Sequence, residues 1–303
     1  MKIFKLVFNY RMENIMIIKI KRILHKVCPV AMTKYYYKKI LGRKLNLRNP
    51  QTLNEKVNWL KLYYWPKNPI SSIVADKYSV REYVKEKGYE NILNPLIGAW
   101  DNVDDIPWDD LPDKFAIKCG HGCGMNIVCF DKNNFNVKEA KEKLSKWMKI
   151  DWGKDSCEPH YSKIKPMIIC EKFIGEGKSL PDDIKIHCFH GEPKLIAYYS
   201  GRGSCLHGTF YDLNWKHLCI ATKEGVRVEK PVCLAEILDI CRGLTQNLPY
   251  ARMDFYVSNG KPIFGEITLT PASGRSPYMT READLYYGSM LDLSVCGFKR
   301  GIF

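Results

Sequence analysis

The sequence predicts an α+β protein in which a helical region is followed by antiparallel hairpins. Helical spacing of apolar residues dominates up to residue 90, whereas short strands separated by turn residues dominate from residue 115. Strands and helices do not alternate in the regular order that builds a parallel sheet. An apolar content of 46% is that of a soluble globular protein and is sufficient for a buried core.

The positive charge of the chain is concentrated near its N-terminus. Residues 1–45 contain 12 Lys or Arg and one acid, Glu13, so they carry +11 of the net charge of +14. Between Ile17 and Leu24, apolar residues recur at helical spacing among basic ones. This pattern predicts a basic amphipathic arm that either packs on the main body or lies on anionic lipid.

Nucleic acid is a third partner to consider for the arm, because Tyr35–Tyr37 stand beside Lys38 and Lys39 and could stack on bases. No nucleic-acid-binding motif accompanies them, so we expect no nucleic-acid partner. No run of 18 apolar residues predicts a transmembrane helix, and the N-terminus lacks the cleavage site of a secretory signal.

The cysteines indicate a reducing compartment. Twelve are scattered through the chain without a Cys-x-x-Cys pair, which favours buried free thiols over disulfides or zinc. We therefore expect a cytoplasmic protein that can contact the inner face of the cytoplasmic membrane through residues 1–45.

Two helices are predicted between residues 52 and 88. Thr52 and Glu55 have the spacing of a capping box, which opens a helix continuing to residue 62. A second, uninterrupted helix is predicted over residues 71–88. Residues 91–113 are rich in Asp, Asn and Pro and are predicted to form a loop.

The strand-rich part of the chain carries an amphipathic helix near Val137–Met148 and another near Leu234–Leu244. Its strands are predicted at Phe115–Cys119, Asn126–Phe130, Met167–Ile174, Ile184–Phe189 and Lys194–Tyr199, followed by a hairpin that carries Asp254 and Glu266.

A glycine-rich loop follows an apolar run that ends in Lys118. Gly120, Gly122 and Gly124 stand at alternate positions, where the absence of side chains lets backbone amides approach an anion. The loop lacks the Gly-Lys-Ser/Thr of a Walker motif, and a strand rather than a helix follows it, unlike a Rossmann fingerprint. A phosphate-binding flap is one interpretation, and an ordinary tight turn is the alternative.

Two acids and an arginine lie on the predicted hairpin near the C-terminus. A three-residue loop over 259–261 would place Asp254 opposite Glu266, whereas a two-residue loop would place them on opposite faces. Facing acids repel unless a cation lies between them, which predicts a magnesium site; two solvent-exposed acids are the alternative. Arg252 shares the face of Asp254, where it could stabilise developing negative charge or form a salt bridge.

These motifs together resemble the ATP-grasp fold, and within it the TupA-like branch of polysaccharide biosynthesis, named after teichuronopeptide synthesis. The resemblance runs from about Leu47 to Leu293. It rests on Thr52-Leu53-Asn54-Glu55-Lys56, Ala75-Asp76-Lys77-Tyr78, Lys118 with its glycine loop, Leu180-Pro181-Asp182-Asp183-Ile184-Lys185, Phe210-Tyr211-Asp212-Leu213-Asn214-Trp215 and Phe264-Gly265-Glu266-Ile267-Thr268.

The resemblance implies two α+β lobes that grip ATP, with the usual N-terminal α/β lobe reduced to helices. The implied parts are a basic arm (1–45), a helical N-terminal region (46–114), a lid lobe with the glycine flap (115–190) and a C-terminal lobe with the metal-binding hairpin (191–303).

The resemblance also implies residue roles. Lys118 and Arg252 are the catalytic candidates, with Arg252 beside an acyl-phosphate. Glu171-Lys172-Phe173-Ile174 resembles the hinge that binds adenine. The candidates for contacts with ATP are Lys77, Lys118, Gly120, His121, Gly122, Gly124, Glu171, Phe173 and Lys185.

Magnesium is implied at Asp254, Glu266 and Thr268. Thr268 stands where the fold usually has Asn, and because a hydroxyl is a poorer metal ligand, the coordination of a second magnesium is left open. Arg202 and His207 lie on the glycine-rich segment 200–208 and are candidates for binding an anionic substrate, with ordinary loop residues as the alternative.

The implied reaction is an ATP-dependent carboxylate–amine ligation through an acyl-phosphate. The family context implies a uronic acid of a cell-surface polysaccharide precursor and an amino acid or amino sugar, as sugar-linked or small-molecule substrates. A capsule or lipopolysaccharide glycosyltransferase and a non-catalytic binding module are the alternatives. The common metal-dependent transferases carry Asp-x-Asp, and no two aspartates here are two positions apart.

Overall fold

The structure is a computed structural model that describes Leu24 and residues 27–175, 177, 179–200 and 207–300. Residues 1–23, which include most of the predicted amphipathic segment of the arm, lie outside the described residues, as does Arg202. For His207 only the backbone is described.

Two antiparallel sheets organise the described chain, which confirms the α+β class. One has four strands in the order β1-β4-β2-β3, and the other has six in the order β10-β9-β5-β6-β7-β8. The strands are β1 (Leu96–Trp100), β2 (Phe115–Cys119), β3 (Asn126–Cys129), β4 (Ile168–Lys172), β5 (Asp183–Phe189), β6 (Glu192–Ser200), β7 (His207–Tyr211), β8 (His217–Leu218), β9 (Tyr250–Ser258) and β10 (Lys261–Thr268).

Eight α-helices are present among the described residues, together with short 3₁₀ turns. They are α1 (Pro29–Leu41), α2 (Leu53–Trp59), α3 (Ile70–Ala75), α4 (Val80–Glu86), α5 (Val137–Trp147), α6 (Trp152–Ser156), α7 (Leu234–Thr245) and α8 (Arg281–Ser289). None of the described helices is long and apolar enough to cross a bilayer.

Each sheet has its own hydrophobic core. The six-stranded sheet packs on α7 and on the helical N-terminal region, and the four-stranded sheet packs on α5.

The strands of each sheet do not all come from one of the predicted lobes. β5, inside 115–190, pairs in the six-stranded sheet, whereas β1, inside 46–114, pairs with β4 in the four-stranded sheet.

The prediction of a loop over residues 91–113 is wrong at β1. This strand is short, lies at the sheet edge and leaves its residues exposed or half-buried. It therefore lacks the alternation of apolar and polar residues that marks a strand with one buried face.

The predicted helix over 71–88 is broken into α3 and α4, which corrects the prediction. The Asp76 carboxylate accepts hydrogen bonds from the backbone amides of Tyr78 (3.1 Å) and Ser79 (3.2 Å) and from the Ser79 hydroxyl (2.6 Å). An aspartate that bonds nearby backbone amides in this way competes with the helical ladder. The break places Lys77 at the surface of a cleft between the sheets.

The capping box is confirmed at the start of α2. The Thr52 hydroxyl accepts from the Glu55 amide (3.2 Å), and the Glu55 carboxylate accepts from the Thr52 amide (3.1 Å). The same carboxylate also accepts from the Gln51 amide (2.8 Å). Since α2 continues as a π-helical turn over Leu60–Tyr64, the helical segment extends past the predicted end at residue 62.

The described part of the arm packs on the main body. Tyr37 on α1 is fully buried, Met32 and Leu45 are buried, and Arg43 forms an ion pair with Asp284. Residues 29–45 of the arm therefore pack on the main body, whereas residues 1–23 lie outside the described residues.

All cysteines of the described part of the chain are free, and seven are buried, as predicted. The exposed ones are Cys28, Cys123 and Cys219.

We predict that Thr52→Ala lowers the free energy of unfolding by about 1 kcal/mol, because it leaves an N-terminal amide of α2 without its acceptor. Thr52→Ser keeps the oxygen and should stay close to the wild type. Equilibrium unfolding in urea measures both, and equal stabilities of the Ala and Ser variants would contradict the capping role.

Candidate active site

A cleft with a cavity volume of about 480 Å³ lies between the two sheets. Its lining comes from β2, β3 and β4 on one side and from β5, β9 and β10 on the other. Nine residues predicted from the sequence line it, namely Lys77, Lys118, Gly124, Glu171, Phe173, Lys185, Arg252, Asp254 and Glu266.

The β9–β10 hairpin brings the two acids together. Its turn has two residues, Asn259 and Gly260, with φ angles of 50° and 72°, so the predicted three-residue loop is wrong. A β-bulge at Gly265 then shifts the register by one residue, and Asp254 pairs with Glu266. The acids face each other as predicted, but the bulge rather than the loop length is the reason.

Cations surround both acids on this sheet face. Arg252 donates from Nε to Asp254 Oδ1 (2.6 Å) and from Nη2 to Asp254 Oδ2 (2.7 Å). Lys185, the cross-strand neighbour of Asp254 on β5, approaches the same carboxylate at 2.5 Å. Glu266 Oε1 lies 3.4 Å from Arg252 Nη2, and Glu266 Oε2 lies 3.8 Å from Lys77 Nζ.

These charges fix the ionisation of the site. Burial alone would raise the pKa of Glu266, but the charges of Lys77, Arg252 and Lys185 lower it to about 2. Burial likewise opposes the charge of Arg252, and the carboxylate of Asp254 overcomes this and raises the Arg252 pKa above its usual range. Near neutral pH both groups are therefore charged.

Lys118 belongs to a second ion-pair group on the opposite wall. Its Nζ lies 2.6 Å from Glu171 Oε2, and Arg81 Nη1 lies 2.9 Å from Glu171 Oε1. Arg81 also donates to the carbonyl of Asn94 (2.9 Å). The Glu171 carboxylate, predicted beside the adenine amine, is thus held between two cations at the strand surface.

The glycine loop is fastened at one end and open at the other. Lys77 donates to the Gly122 carbonyl (2.7 Å), and the Gly120 amide donates to the Met167 carbonyl (2.8 Å). The exposed residues Cys123 and Gly124 line the cleft, and their amides donate to no described residue. The open end can therefore present amides to an anion.

Several predicted site residues do not line the cleft. His121 is buried in the lid, where Nε2 lies 3.2 Å from the Trp147 carbonyl, and burial lowers its pKa. Gly120 and Gly122 support the loop from behind; a Cβ at Gly120 would lie 2.7 Å from Asp76 Oδ1. None of these three residues lines the cleft, and their contact with ATP stays a prediction.

Thr268 lies beside the acids but outside the cleft lining. Its hydroxyl donates to Glu266 Oε1 (2.7 Å) and accepts from Arg252 Nη2 (3.1 Å). In this geometry Thr268 orients Glu266. Arg202 and the side chain of His207 lie outside the described residues, so their predicted contact with substrate stays a prediction.

Part of the cleft lining is apolar. Ala116, Val128, Phe173, Leu180 and Phe264 all line the cavity. Beyond the end of β4, the backbone amides of Phe173 and Ile174 donate to no described residue. A lining with charged side chains, apolar side chains and free backbone groups fits a phosphorylated aromatic ligand.

Comparison with protein families gives one decisive match. The family model described as TupA-like ATPgrasp matches residues 55–292. The chain belongs to this family. Its fold is therefore ATP-grasp, as the motifs predicted.

Solved structures of two ligases are similar to this chain at low sequence identity. D-alanine–D-alanine ligase from Bacillus anthracis is 19% identical, with a TM-score of 0.48 over 75% of this chain and 70% of that chain. N5-carboxyaminoimidazole synthetase from Staphylococcus aureus is 13% identical, with a TM-score of 0.44 over 75% and 52% of the two chains. A search of curated proteins found no match.

Sequence reasoning missed several residues of this ATP-grasp cleft. The position of Asn126 in the cleft could have been predicted from the two-residue alternation of β3. This alternation places Asn126 and Val128 on the cleft face with Lys118. Arg81 and Asn94 carried no signal, because only the tertiary fold brings them to Glu171 and to the backbone of Lys172.

The depressed pKa of Glu266 gives a pH prediction for the protein in EDTA. A carboxyl with a pKa near 4.3 in the unfolded chain and about 2 in the folded chain stabilises the fold above about pH 4.3, and this contribution is lost as the pH falls towards 2. The difference in unfolding free energy between wild type and Glu266→Gln should be constant from about pH 7 to 5 and shrink below.

Urea unfolding at a series of pH values measures this difference. Glu90→Gln, whose side chain is 73% exposed, is the matched control and should show no such trend. A Glu266→Gln difference that is independent of pH down to about pH 3 would contradict the ion-pair assignment.

Proposed function

We propose that this protein is an ATP-dependent carboxylate–amine ligase that acts through an acyl-phosphate. On the family context, we further propose that the carboxylate belongs to a uronic acid of a cell-surface polysaccharide precursor and that the amine belongs to an amino acid or amino sugar. The observation that carries the proposal is the pairing of Asp254 with Glu266 beside Arg252, in the same cleft as Lys118 and the open glycine loop.

ATP fits the charged and the apolar parts of the cleft lining. The adenine would lie among the apolar residues next to Phe173, where the amides of Phe173 and Ile174 are available. The phosphates would lie towards Lys118 and the amides of Cys123 and Gly124. Amides together with a lysine are the donors that bind phosphate oxygens in proteins.

Magnesium fits the acidic hairpin by the chemistry of its donors. Asp254 and Glu266 offer hard carboxylate oxygens on neighbouring strands, the ligands that Mg²⁺ combines with phosphate oxygens and water. When bound, the ion would offset the negative charge of the transferring phosphoryl group.

The residues of the cleft then support two chemical steps. In the first, a substrate carboxylate oxygen attacks the γ-phosphorus of ATP, and ADP leaves. In the second, an amine attacks the acyl carbon, the C–N bond forms and phosphate departs. Lys118 would hold the phosphates during the first step, and Arg252 would stabilise the oxyanion of the second.

Ligand binding would change the partners of these charges. Each acid is paired with at least one cation, and Arg252 has two nitrogens on Asp254. With the carboxylates occupied by a metal ion, Lys77, Lys185 and Arg252 could direct part of their positive charge towards phosphate and substrate oxygens. Arg252 keeps Nη1, which donates to no described residue, for such a contact.

We further propose that the basic arm places the enzyme against anionic lipid. Lys34, Lys38 and Lys39 on the packed helix α1 are exposed, as is Tyr35 (51%). They continue the positive charge of the N-terminal segment. Each basic residue near an anionic surface contributes roughly 1 kcal/mol.

We predict that ATP with magnesium raises the thermal unfolding midpoint, since a ligand at 100 times its Kd adds about 2.7 kcal/mol. Lys118→Ala and Asp254→Asn should reduce this shift. Each should also slow carboxylate-dependent ADP formation by about 100-fold or more, because each removes a group that stabilises transition-state charge.

The control is Lys165→Ala, whose side chain is 72% exposed and pairs only with Asp101 on the surface. It should match the wild type in both assays. Full activity of the Asp254→Asn variant, or no stabilisation of the wild type at millimolar ATP and magnesium, would refute the proposed function.

For the arm, we predict co-sedimentation with phosphatidylglycerol vesicles but not with phosphatidylcholine vesicles. Deleting residues 2–26, which contain seven Lys or Arg, should abolish binding, as should about 0.5 M salt. Replacing the exposed Lys138, Lys143 and Lys146 of α5 with Ala should leave it intact. Binding that survives the deletion would refute the role of the arm.

A further inference from the structure

A second, enclosed cavity lies next to the cleft on the same face of the six-stranded sheet. Its volume is about 50 Å³, and Arg252 lines both cavities. Along the sheet, the row Lys185–Asp254–Glu266 is followed by the row His187–Arg252–Thr268. The second cavity therefore begins one row beyond the acidic pair.

The roof of this cavity comes from the helical N-terminal region and from the segment after β10. Leu53, Asn54 and Val57 on α2 lie on one side, and the other side is formed by Pro271, Ala272, Ser276, Tyr278 and Met279. Asn54 joins the two, because Nδ2 donates to the Ser276 carbonyl (3.1 Å) and Oδ1 accepts from the Ser276 amide (2.8 Å).

The roof is held in a strained form. Ala272 and Ser273 have φ angles of 47° and 56°, in the left-handed region that non-glycine residues rarely adopt. The buried Lys61 holds this turn by donating to the Ser273 carbonyl (2.9 Å). Such strain persists where the surrounding structure enforces it, and it is frequent at ligand-binding sites.

The size of the cavity limits its occupant. A water molecule needs about 10–15 Å³ on this scale, so the space admits the few non-hydrogen atoms of a carboxyl group with its α-carbon and one α-substituent. The rest of a sugar ring, beyond the α-carbon and its oxygen, would have to remain outside, near the exposed Tyr278 and its ring neighbour Tyr199.

The polar groups of the cavity accept a neutral α-substituent. His187 is buried, its Nδ1 lies 2.7 Å from the Tyr250 hydroxyl, and Nε2 has no hydrogen-bond partner among the described residues. Burial lowers the His187 pKa to about 3, so the ring is neutral. Its free nitrogen can donate to or accept from a hydroxyl or ether oxygen, according to the tautomer.

An α-ammonium group has no counter-charge in this cavity. Among the described residues, the lining contains no acid. Asp254 and Glu266, which contact the lining residue Arg252, are already paired with it, and Asp284, which accepts from the Asn54 amide, is paired with Arg43. Placing a further cation beside Arg252 without a counter-ion is unfavourable.

We propose that this enclosed cavity is the carboxylate-donor subsite and that it selects acids with an α-oxygen over α-amino acids, with Arg252 binding the carboxylate and His187 contacting the α-oxygen. The proposal rests on the ligase function and makes it more specific. A uronic acid carries its ring oxygen at this position, as a 2-hydroxy acid carries its hydroxyl.

L-Lactate and L-alanine test the selection, because they have the same number of non-hydrogen atoms and differ only in the α-substituent. Hydroxylamine traps an acyl-phosphate as a hydroxamate, which is measured together with ADP in the full-length protein with ATP and magnesium. Lactate and D-glucuronate should yield hydroxamate, and alanine should react at least about tenfold more slowly.

Variants of the roof locate the subsite. Val57→Phe fills the cavity and should raise the KM for lactate about tenfold, while the thermal shift with ATP and magnesium stays that of the wild type. Val295→Phe makes the same replacement at a site that is 67% exposed and should change neither value. Should Val57→Phe fail to fold, Tyr250→Phe removes the partner of His187 at nearly constant volume and should also raise the KM.

Equal rates with alanine and lactate, or an unchanged KM in the roof variants, would overturn the subsite. So would the absence of hydroxamate from every acid while ATP and magnesium still stabilise the protein, a result that leaves nucleotide binding standing. Failure of ATP with magnesium to stabilise the wild type would instead refute the ligase function, and the subsite with it.

Discussion

The register of the β9–β10 hairpin is the constraint on which the site depends. With the two-residue turn alone, Asp254 and Glu266 would lie on opposite faces of the sheet. The bulge at Gly265 restores their pairing, and a Cβ at this position would lie 2.8 Å from the Asp254 carbonyl oxygen. A glycine in the bulge thus allows the close approach of the strands that places Asp254 and Glu266 side by side.

Charge compensation is the second organising principle of the cleft. Acids at a partly buried surface are costly without counter-charges, and each acid here is met by a cation from a neighbouring element. Lys77 is central to this arrangement, because it holds the glycine loop through the Gly122 carbonyl and also approaches Glu266. One lysine therefore contacts both the lid loop and the acidic hairpin, so the groups proposed to bind phosphate and metal are positioned together.

Patterns formed by nearby residues predicted several features of the fold and the site from the sequence. Features that depend on contacts between residues distant in the chain were missed. Two correct predictions rest on local patterns, in which the defining residues lie within a few positions of one another. These are the capping box of Thr52 and Glu55 and the position of Lys118 before its glycines. The break at Asp76 was missed because apolar spacing continues across it, whereas the Asp76 side chain accepts from the amides of Tyr78 and Ser79 just before the next helix. The inward position of His121 and the role of Arg81 depend on contacts with Trp147 and Glu171 that are distant in sequence, so no local pattern reveals them.

A crystal structure with magnesium and a non-hydrolysable ATP analogue tests the central claim most directly. We expect adenine beside Phe173, phosphate oxygens in contact with Lys118 Nζ and the amides of Cys123 and Gly124, and a metal ion bound by both Asp254 and Glu266. A nucleotide bound outside this cleft, or a metal ion that touches neither carboxylate, would contradict it.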